Sequence, residues 1–262
     1  MANEIVLITG PSSGIGKELA RLFAADGSEL ILASRNVEKL ESLATELREG
    51  HGVTVHVVPS DLSVPGAAQA LWNEIQSRGL AVDVLVNNAG FGHLAKFQDL
   101  PLETYTANLQ VNVTAVTELM RLALPGMLER KRGRILNVAS TASFQPGPHA
   151  AVYFATKAYV RFLSEAVSEE LRGTKVTVTA LCPGPTQTAF VDKSDMDKSP
   201  LFQSLMDAST VARLGYRAMR SGKTRTITGW GNKLLAYSSK VSPDWIVRKV
   251  TQSLMGKPKD KG

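Results

Sequence analysis

The sequence predicts an α/β fold with one doubly wound parallel sheet and helices on both faces. Short runs rich in β-branched residues alternate along the chain with longer stretches of helical spacing. Runs such as IVLIT and VDVLVN are apolar almost throughout, which is typical of strands covered on both faces. A glycine-rich turn follows the first of these runs. Since ligands of such sheets bind where strands run out into loops, this turn marks a candidate site.

Six strands and five helices follow from the period and length of these segments. The predicted strands span residues 5–9, 30–33, 54–59, 82–87, 134–139 and 175–181. The predicted helices span residues 14–25, 37–49, 67–78, 103–131 and 151–172, the last closed by Gly173 as a helix-ending glycine. Because nothing separates two cores, we expect a single domain over residues 1–262.

Composition indicates an ordinary soluble protein, with 44% hydrophobic and 21% charged residues. The chain passes from Met1 into the run IVLITG without the order of segments that makes a signal peptide, and no apolar run approaches the length of a membrane span. A single cysteine, Cys182, allows no internal disulfide and reads as a small buried residue. We therefore expect a cytoplasmic protein.

Basic charge is concentrated in the tail. From Arg213 onward the chain has twelve of its 30 basic residues and two of its 24 acidic ones. Aromatic and aliphatic residues alternate there with lysines and arginines. We interpret the apolar face of this tail as a cover over the core or a ligand cleft. Contact with an anionic membrane or with a partner is the alternative. Nucleic-acid binding is not expected, because no recognised module is present.

The glycine turn lies in IVLITGPSSGIGKELA, with Gly10, Gly14 and Gly16 at the spacing G-x3-G-x-G. Glycine lets the backbone turn tightly and approach a ligand, and the new helix offers unpaired N–H groups to an anion. The spacing is neither G-x-G-x-x-G nor a P-loop. A tight turn without a ligand is the alternative, but its place after the first strand favours a pyrophosphate site.

The end of the second strand, ILASRN, contains Ser34 and Arg35 and no carboxylate before Glu38. A carboxylate at this point would hold the ribose hydroxyls of an unphosphorylated dinucleotide and repel a 2′-phosphate. Arginine instead pairs with phosphate through charge-assisted hydrogen bonds. The pattern predicts NADP(H) over NAD(H), unless Arg35 is an ordinary solvent-facing side chain.

A set of motifs stands in a fixed order over about residues 4–190. They are TGPSSGIG (9–16), Asp61 in SDLS, NNAG (87–90), Asn112 in QVNV, Ser140 in NVAS, Tyr153-x3-Lys157 and PGPTQT (183–188). The set resembles the classical short-chain dehydrogenase/reductase family. A looser likeness of the tail points to NADP-preferring carbonyl reductases and to 3-oxoacyl- or steroid-type reductases. The resemblance implies a Rossmann fold, a nicotinamide cofactor and a small carbonyl or alcohol substrate.

Catalysis is expected from four residues of this set. Residues i and i+4 share a helical face, so the ammonium of Lys157 can lower the pKa of the Tyr153 phenol, with help from an oxidised nicotinamide. The resemblance implies that Tyr153 exchanges the proton with the substrate oxygen and that Lys157 also holds the nicotinamide ribose. It further implies that Ser140 binds the substrate oxygen and that Asn112 positions a relay water. A half-buried Tyr–Lys pair without chemistry is the alternative.

The resemblance also implies a set of cofactor contacts along the predicted carboxyl edge of the sheet. They are Gly10, Ser12, Ser13, Gly14, Ile15, Gly16, Ser34, Arg35, Asp61, Leu62, Asn88, Ala89, Gly90, Tyr153, Lys157, Pro183, Gly184, Thr186 and Thr188. Asp61 would contact adenine, or else serve only as a turn acid. His93 and His149 either line the substrate mouth or lie in solvent. No metal site is predicted.

Two segments depart from the family pattern or vary within it. Residues 191–209 correspond to the variable substrate loop, and their apolar residues suggest a lid for an apolar or bulky ketone or aldehyde. Many members end with a last strand and a VDGG-like segment, whereas residues 224–262 run TRTITGWGNKLLAYSSK and onward as an atypical, basic, helical extension. We expect a homodimer or homotetramer. An NAD-sugar epimerase and a catalytically silent cofactor sensor or scaffold are the alternatives.

Overall fold

The computed structural model describes residues 4–188 and 205–255, and within them the predicted α/β fold is confirmed. The strands are β1 (Ile5–Thr9), β2 (Glu29–Ser34), β3 (Val55–Pro59), β4 (Val84–Asn87), β5 (Gly133–Val138), β6 (Val176–Cys182), β7 (Thr186–Gln187), β8 (Met206–Asp207) and β9 (Arg225–Ile227). The helices are α1 (Gly14–Ala25), α2 (Val37–His51), α3 (Ala67–Ser77), α4 (Leu102–Leu109), α5 (Ala115–Glu129), α6 (Ala151–Glu170), α7 (Ala208–Arg220), α8 (Trp230–Val241) and α9 (Asp244–Met255).

The main sheet has the strand order β3-β2-β1-β4-β5-β6-β9, with every neighbouring pair parallel. Strand order reverses between β1 and β4, where Ile8 pairs with Val86. The carboxyl ends of β1 and β4 therefore lie side by side, and so do the loops that leave them. This is the switch point at which doubly wound sheets bind their ligands.

Both faces of the sheet are covered. Along β1, Leu7 belongs to the hydrophobic cluster on one face, while Val6 and Ile8 belong to the cluster on the other. All three are fully buried. Burying each such side chain stabilises the fold by about 1.5–3 kcal/mol. The apolar runs that predicted two-sided strands thus form the centre of the molecule.

The predicted helix over residues 103–131 is divided. Between α4 and α5, residues Gln110–Thr114 form one π-helical turn that contains Asn112. A π turn inserts one residue into the helical repeat, and such turns occur often at functional sites. Period alone could not reveal it, because the apolar spacing continues on both sides of the insertion.

The tail contains a last strand of the main sheet, which the sequence did not predict. Residues Arg225–Ile227 form a seventh strand that pairs in parallel with β6, with Thr226 opposite Leu181. The expected helical extension follows as α8 and α9, which bury Ala236, Thr251 and Met255. Across residues 4–188 and 205–255, every helix is too short or too polar to cross a bilayer.

Candidate active site

The glycine turn joins β1 to α1 with a backbone that only glycine adopts without strain. Gly14 has φ of +57°, and a Cβ there would lie 2.6 Å from the Cγ2 atom of Thr188. At Gly16 a Cβ would lie 2.7 Å from the carbonyl oxygen of Gly10. Packing within the protein itself therefore requires both glycines. The turn is thus tight for reasons of packing alone, and this does not exclude a bound ligand.

The start of α1 leaves backbone donors for an anion. Its N-cap residue Ser13 makes no side-chain capping bond, and the first turn contains no acidic residue. The N–H groups of this turn and the positive end of the helix dipole are thus available to a phosphate. Ser12, Ser13, Gly14 and Ile15 all line the cavity described below.

Asn88, in the motif after β4, supports the turn. Its side-chain amide donates to the carbonyl oxygens of Thr9 at 3.0 Å and of Gly10 at 2.9 Å. Its backbone N–H donates to Thr9 Oγ1 at 3.1 Å. These bonds tie the ends of β1 and β4 together at the switch point.

The end of β2 brings polar and basic groups to the same cavity. Ser34, Arg35, Asn36 and Lys39 line it, and the Oγ atom of Ser34 is buried without a hydrogen-bond partner among the described residues. Asn36 caps α2 by accepting from the Lys39 N–H at 2.8 Å. A buried polar atom without a partner is uncommon in a folded protein, so this hydroxyl has hydrogen-bonding capacity to spare beside the cavity.

Asp61 serves as a turn acid and also lies in the wall of the cavity. Its Oδ1 atom accepts hydrogen bonds from the N–H and Oγ of Ser63, at 3.0 and 2.6 Å, as a turn acid does. It also lines the cavity. Burial raises its pKa, but the Ser63 hydrogen bonds and the charge of Arg35 outweigh burial, so the pKa lies below its ordinary value.

Tyr153 and Ser140 face each other through a side-chain hydrogen bond. Ser140 follows β5 and caps the short 3-10 helix Thr141–Phe144, with its Oγ accepting from the Ala142 N–H at 3.1 Å. Tyr153 lies in the first turn of α6, and its ring packs on Gly92, where a Cβ would come within 2.6 Å of the ring. The segment after β5 and the first turn of α6 thus place a phenol beside a hydroxyl at one point.

Lys157 is buried, with 5% of its surface exposed, and its ammonium donates to the Val138 carbonyl oxygen at 2.8 Å. Burial lowers its pKa from 10.5 to about 8, because a charged ammonium loses its hydration there. A lysine with this pKa exchanges protons near neutral pH. It lies next to Gly90, where a Cβ would be 3.2 Å from its Nζ atom.

The expected lowering of the Tyr153 pKa is not observed in the protein itself. Burial raises this pKa from 10.0 to about 12, and the hydrogen bond with Ser140 opposes the rise only in part. The Nζ atom of Lys157 lies 5.8 Å from the centre of the Tyr153 ring. The protein's own groups therefore keep the phenol protonated.

Asn112 is 1% exposed and does not line the cavity. Its Oδ1 accepts from the Phe91 N–H at 3.1 Å, and its Nδ2 donates to the Phe91 carbonyl oxygen at 2.9 Å and to Thr156 Oγ1 at 3.1 Å. The π turn thus holds the loop after β4 against α6. Asn112 nevertheless lies close to Lys157, since a Cβ at Gly90 would be 3.1 Å from Asn112 Oδ1 and 3.2 Å from Lys157 Nζ.

The lysine pKa predicts a specific dependence of stability on pH. Below about pH 8 both the folded and unfolded states hold the Lys157 proton, so the cost of burying the charge is fully present. Between about pH 8 and 10.5 the unfolded state binds more protons, so the free energy of unfolding rises with pH by about 1.4 kcal/mol per unit. We expect this rise in the native protein relative to Lys157→Met in urea unfolding at a series of pH values.

Other titrating groups, such as Cys182 with its pKa raised by burial to about 12, are common to both proteins and cancel in the difference. The matched control is Lys175→Met at an exposed lysine, whose difference from the native protein should not change with pH. A flat difference for Lys157→Met would contradict a buried ammonium of lowered pKa.

A cavity of about 410 Å³ runs along the carboxyl edge of the sheet. It brings together Ser140, Tyr153, Lys157 and every predicted cofactor residue except Gly16; Asn112 and Gly16 lie behind its wall. His93 also lines it, whereas His149 lines a separate small cavity behind Tyr153. Of the predicted substrate loop, residues 191–204 lie outside the described residues.

Several lining residues were missed by sequence reasoning. They are Asn36, Lys39, Ser60, Phe91, Gly92, Val111, Val138, Ala139, Thr141, Ala142, Gln145, Phe154, Pro185 and Met255. Lys39 could have been found, because it lies one helical turn beyond Arg35. The tail was expected to cover the core or a ligand cleft, but only the fold shows that Leu235 and Met255 are the residues that enter the cavity wall.

A sequence profile of the family described as short chain dehydrogenase matches residues 4–199. The chain belongs to this family. Among its relatives, the uncharacterized oxidoreductase YvrD of Bacillus subtilis is 39% identical over 191 residues, which is 73% of this chain and 72% of the relative. This short-chain dehydrogenase is thus an oxidoreductase.

Solved structures agree with this assignment. A short-chain dehydrogenase from Sphingobium yanoikuyae in complex with NADPH has a TM-score of 0.82 and 29% identity, over 91% of this chain and 93% of its own. One from Burkholderia phymatum in complex with NAD has a TM-score of 0.80 and 26% identity, over 90% and 92%. A 7beta-hydroxysteroid dehydrogenase has a TM-score of 0.86 and 27% identity, over 95% and 96%. The neighbours of this short-chain dehydrogenase therefore include complexes with both nicotinamide cofactors.

The residues present fit such a cofactor. A phosphate matches the uncapped N-terminus of α1, and the buried Ser34 hydroxyl lacks a partner that a cofactor oxygen would supply. Gly90 keeps the cavity wall beside Lys157 free of a side chain. The donor set is thus suited to a dinucleotide that extends from the end of β2 to Tyr153.

Proposed function

We propose that this short-chain dehydrogenase is an NADP(H)-dependent carbonyl reductase or alcohol dehydrogenase. The observation that carries the proposal is the hydrogen-bonded pair of Tyr153 and Ser140, set in one cavity with the glycine turn, Arg35 and an apolar wall. A cofactor site and a proton donor share this space. Transfer of hydride together with a proton needs both within reach of one substrate.

In this proposal the bound cofactor supplies the hydride, or accepts it in the oxidative direction. Ser140 donates a hydrogen bond to the carbonyl oxygen, where negative charge develops. Tyr153, which burial keeps protonated, gives its proton to that oxygen. Lys157, with a pKa near 8, then returns a proton to the Tyr153 phenolate and also holds the nicotinamide ribose.

Asn112 takes the role of a positioning residue. Its three hydrogen bonds hold the loop containing Phe91 against α6, next to Lys157. A relay water beside it would connect Lys157 with solvent, as the family resemblance implies.

The preference for NADP(H) is supported by the end of β2. Arg35 and Lys39 supply positive charge and Ser34 an unpartnered hydroxyl, with no carboxylate among these three lining residues. A 2′-phosphate would be neutralised there, whereas a carboxylate would be needed to favour the free ribose hydroxyls.

An apolar or bulky substrate is supported by the apolar part of the cavity wall. Phe91, Phe154, Leu235 and Met255 line the cavity, and Phe154 and Met255 belong to one buried cluster. The likeness to a 7beta-hydroxysteroid dehydrogenase points in the same direction. We propose a bulky apolar ketone or its secondary alcohol as the substrate class.

A homodimer or homotetramer is proposed on separate grounds. Tyr159 and Phe162 on α6 are 41% and 60% exposed, and Leu109 at the end of α4 is 46% exposed. Apolar side chains exposed on neighbouring helices are typical of a subunit interface.

A carbonyl panel tests the activity. We expect oxidation of NADPH with bulky apolar ketones and aldehydes, measured as the loss of reduced-nicotinamide absorbance. The rate with small charged keto acids should be at least tenfold lower. NADH should serve poorly. No turnover across the panel with either cofactor would favour the catalytically silent sensor or scaffold, and activity confined to small polar substrates would contradict the proposed substrate class.

A further inference from the structure

The C-terminal helices α8 and α9 expose an apolar stripe that the proposed activity does not use. On α8 the stripe consists of Trp230, Leu234, Tyr237 and Val241, at helical positions i, i+4, i+7 and i+11. Trp230 is 84% exposed, Leu234 67% and Val241 85%. These spacings place all four on one face of the helix, because the α-helix repeats every 3.6 residues.

The interpretation of the tail as a cover over the core or cleft accounts for only part of its apolar residues. Leu235, Ala236 and Met255 point inward, and Leu235 and Met255 line the cavity. The largest apolar side chains point outward instead, and Trp245 on α9 is also 57% exposed. A helix that exposes its larger apolar residues lacks a partner within the described part of the chain.

Cations accompany this stripe. Lys240 lies 6.0 Å from the ring centre of Tyr237, and Lys249 lies 5.5 Å from that of Trp245. Lys233 precedes Leu234, and Asp244 is the acidic residue of the two helices. Tryptophan, tyrosine and aliphatic side chains flanked by lysines are the composition of helices that lie in the interface of an anionic bilayer.

We propose that the stripe on α8 and α9 docks on an anionic lipid surface. A second copy of the chain is less suitable, because a two-fold interface would bring Lys233, Lys240 and Lys249 against the same cations. Negative lipid headgroups neutralise these charges, and the rings and aliphatic side chains enter the acyl boundary. The helices do not cross the bilayer, in agreement with their 12-residue lengths.

The stripe on α8 lies close to the cavity. The helix that exposes Leu234 also supplies Leu235 to the cavity wall. A docked bilayer therefore lies about one helix diameter, roughly 10 Å, from the cavity. An apolar compound dissolved in the membrane would reach the cavity with little passage through water.

Vesicle flotation of the full chain tests the docking without any substrate or cofactor. The test compares vesicles of phosphatidylcholine alone with vesicles that contain about one-third phosphatidylserine. The native protein should bind the phosphatidylserine vesicles at least roughly tenfold more strongly than the neutral ones, and high salt should release it. Trp230→Ser/Leu234→Ser and Lys233→Glu/Lys240→Glu should each weaken binding by roughly tenfold or more.

Matched controls change the same residue classes away from the stripe. Leu102→Ser alters a side chain that is 73% exposed on α4, and Arg78→Glu/Arg172→Glu alters exposed cations at the ends of α3 and α6. These variants should bind phosphatidylserine vesicles as the native protein does. Circular dichroism confirms that all variants are folded.

Three results would overturn the proposal. One is native protein that remains unbound to both kinds of vesicle, and another is binding that the stripe variants retain in full. The third comes from sedimentation velocity: an oligomer that Trp230→Ser/Leu234→Ser dissociates, without vesicle binding by the native protein, would assign the stripe to a second copy of the chain.

Discussion

Replacing Tyr153 by phenylalanine is expected to lower kcat for a bulky ketone by about 10²- to 10⁴-fold, the usual contribution of a general acid. The variant keeps the ring that packs on Gly92 and removes only the hydroxyl that meets Ser140. Without that hydroxyl the proposed proton donor beside Ser140 is lost. Steady-state kinetics with NADPH measures the loss.

The control for this substitution lies on the same helix. Tyr159→Phe removes a hydroxyl that hydrogen bonds to Thr117 at 3.0 Å on the outer face of α6. It should leave kcat within about twofold of the native value, since surface changes usually have small effects. Affinity for NADPH should persist in Tyr153→Phe. If that variant instead turned over at the native rate, the assignment of the proton donor would be wrong.

Replacing Arg35 by leucine is expected to lower kcat/KM for NADPH by about 10- to 150-fold, because hydrogen bonds to charged groups contribute about 1.5–3 kcal/mol each. The same variant should keep its kcat/KM for NADH, which lacks the 2′-phosphate. Arg35 is exposed and sits at the end of β2, so the fold should tolerate the change. Kinetics with both cofactors, at one salt concentration, gives the ratio.

Arg78→Leu provides the matched control, since Arg78 is an exposed arginine at the end of α3 that does not line the cavity. Its ratio of NADPH to NADH efficiency should equal that of the native protein. An equal loss with both cofactors in Arg35→Leu would indicate a structural role, and an unchanged ratio would show that Arg35 faces solvent without a ligand.

Most of the framework could be predicted from the sequence because its signals are local. The bounds of β1 and α1 were predicted to the residue, since an apolar run, a glycine turn and a helical period follow one another there. The seventh strand, Arg225–Ile227, was missed because three residues with an arginine and a threonine carry no clear pattern. Its pairing with β6 decides its conformation.

The composition of the site was harder to predict where it depends on distant packing. Phe154, Leu235 and Met255 come together only after the sheet has formed and the tail has folded over it. The pKa of Tyr153 illustrates the same point. The i, i+4 spacing gives the distance between phenol and lysine, but burial, which depends on the whole fold, moves this pKa upward.

The contact between Gly14 and Thr188 couples the glycine turn to the segment that follows β6. Thr188 ends the segment that leads into the variable substrate loop, and its side chain fills the space in which Gly14 has no Cβ. A larger residue at either position would displace the other. Substitutions near Thr188 are therefore limited by the fixed backbone of the glycine turn on that side of the cavity.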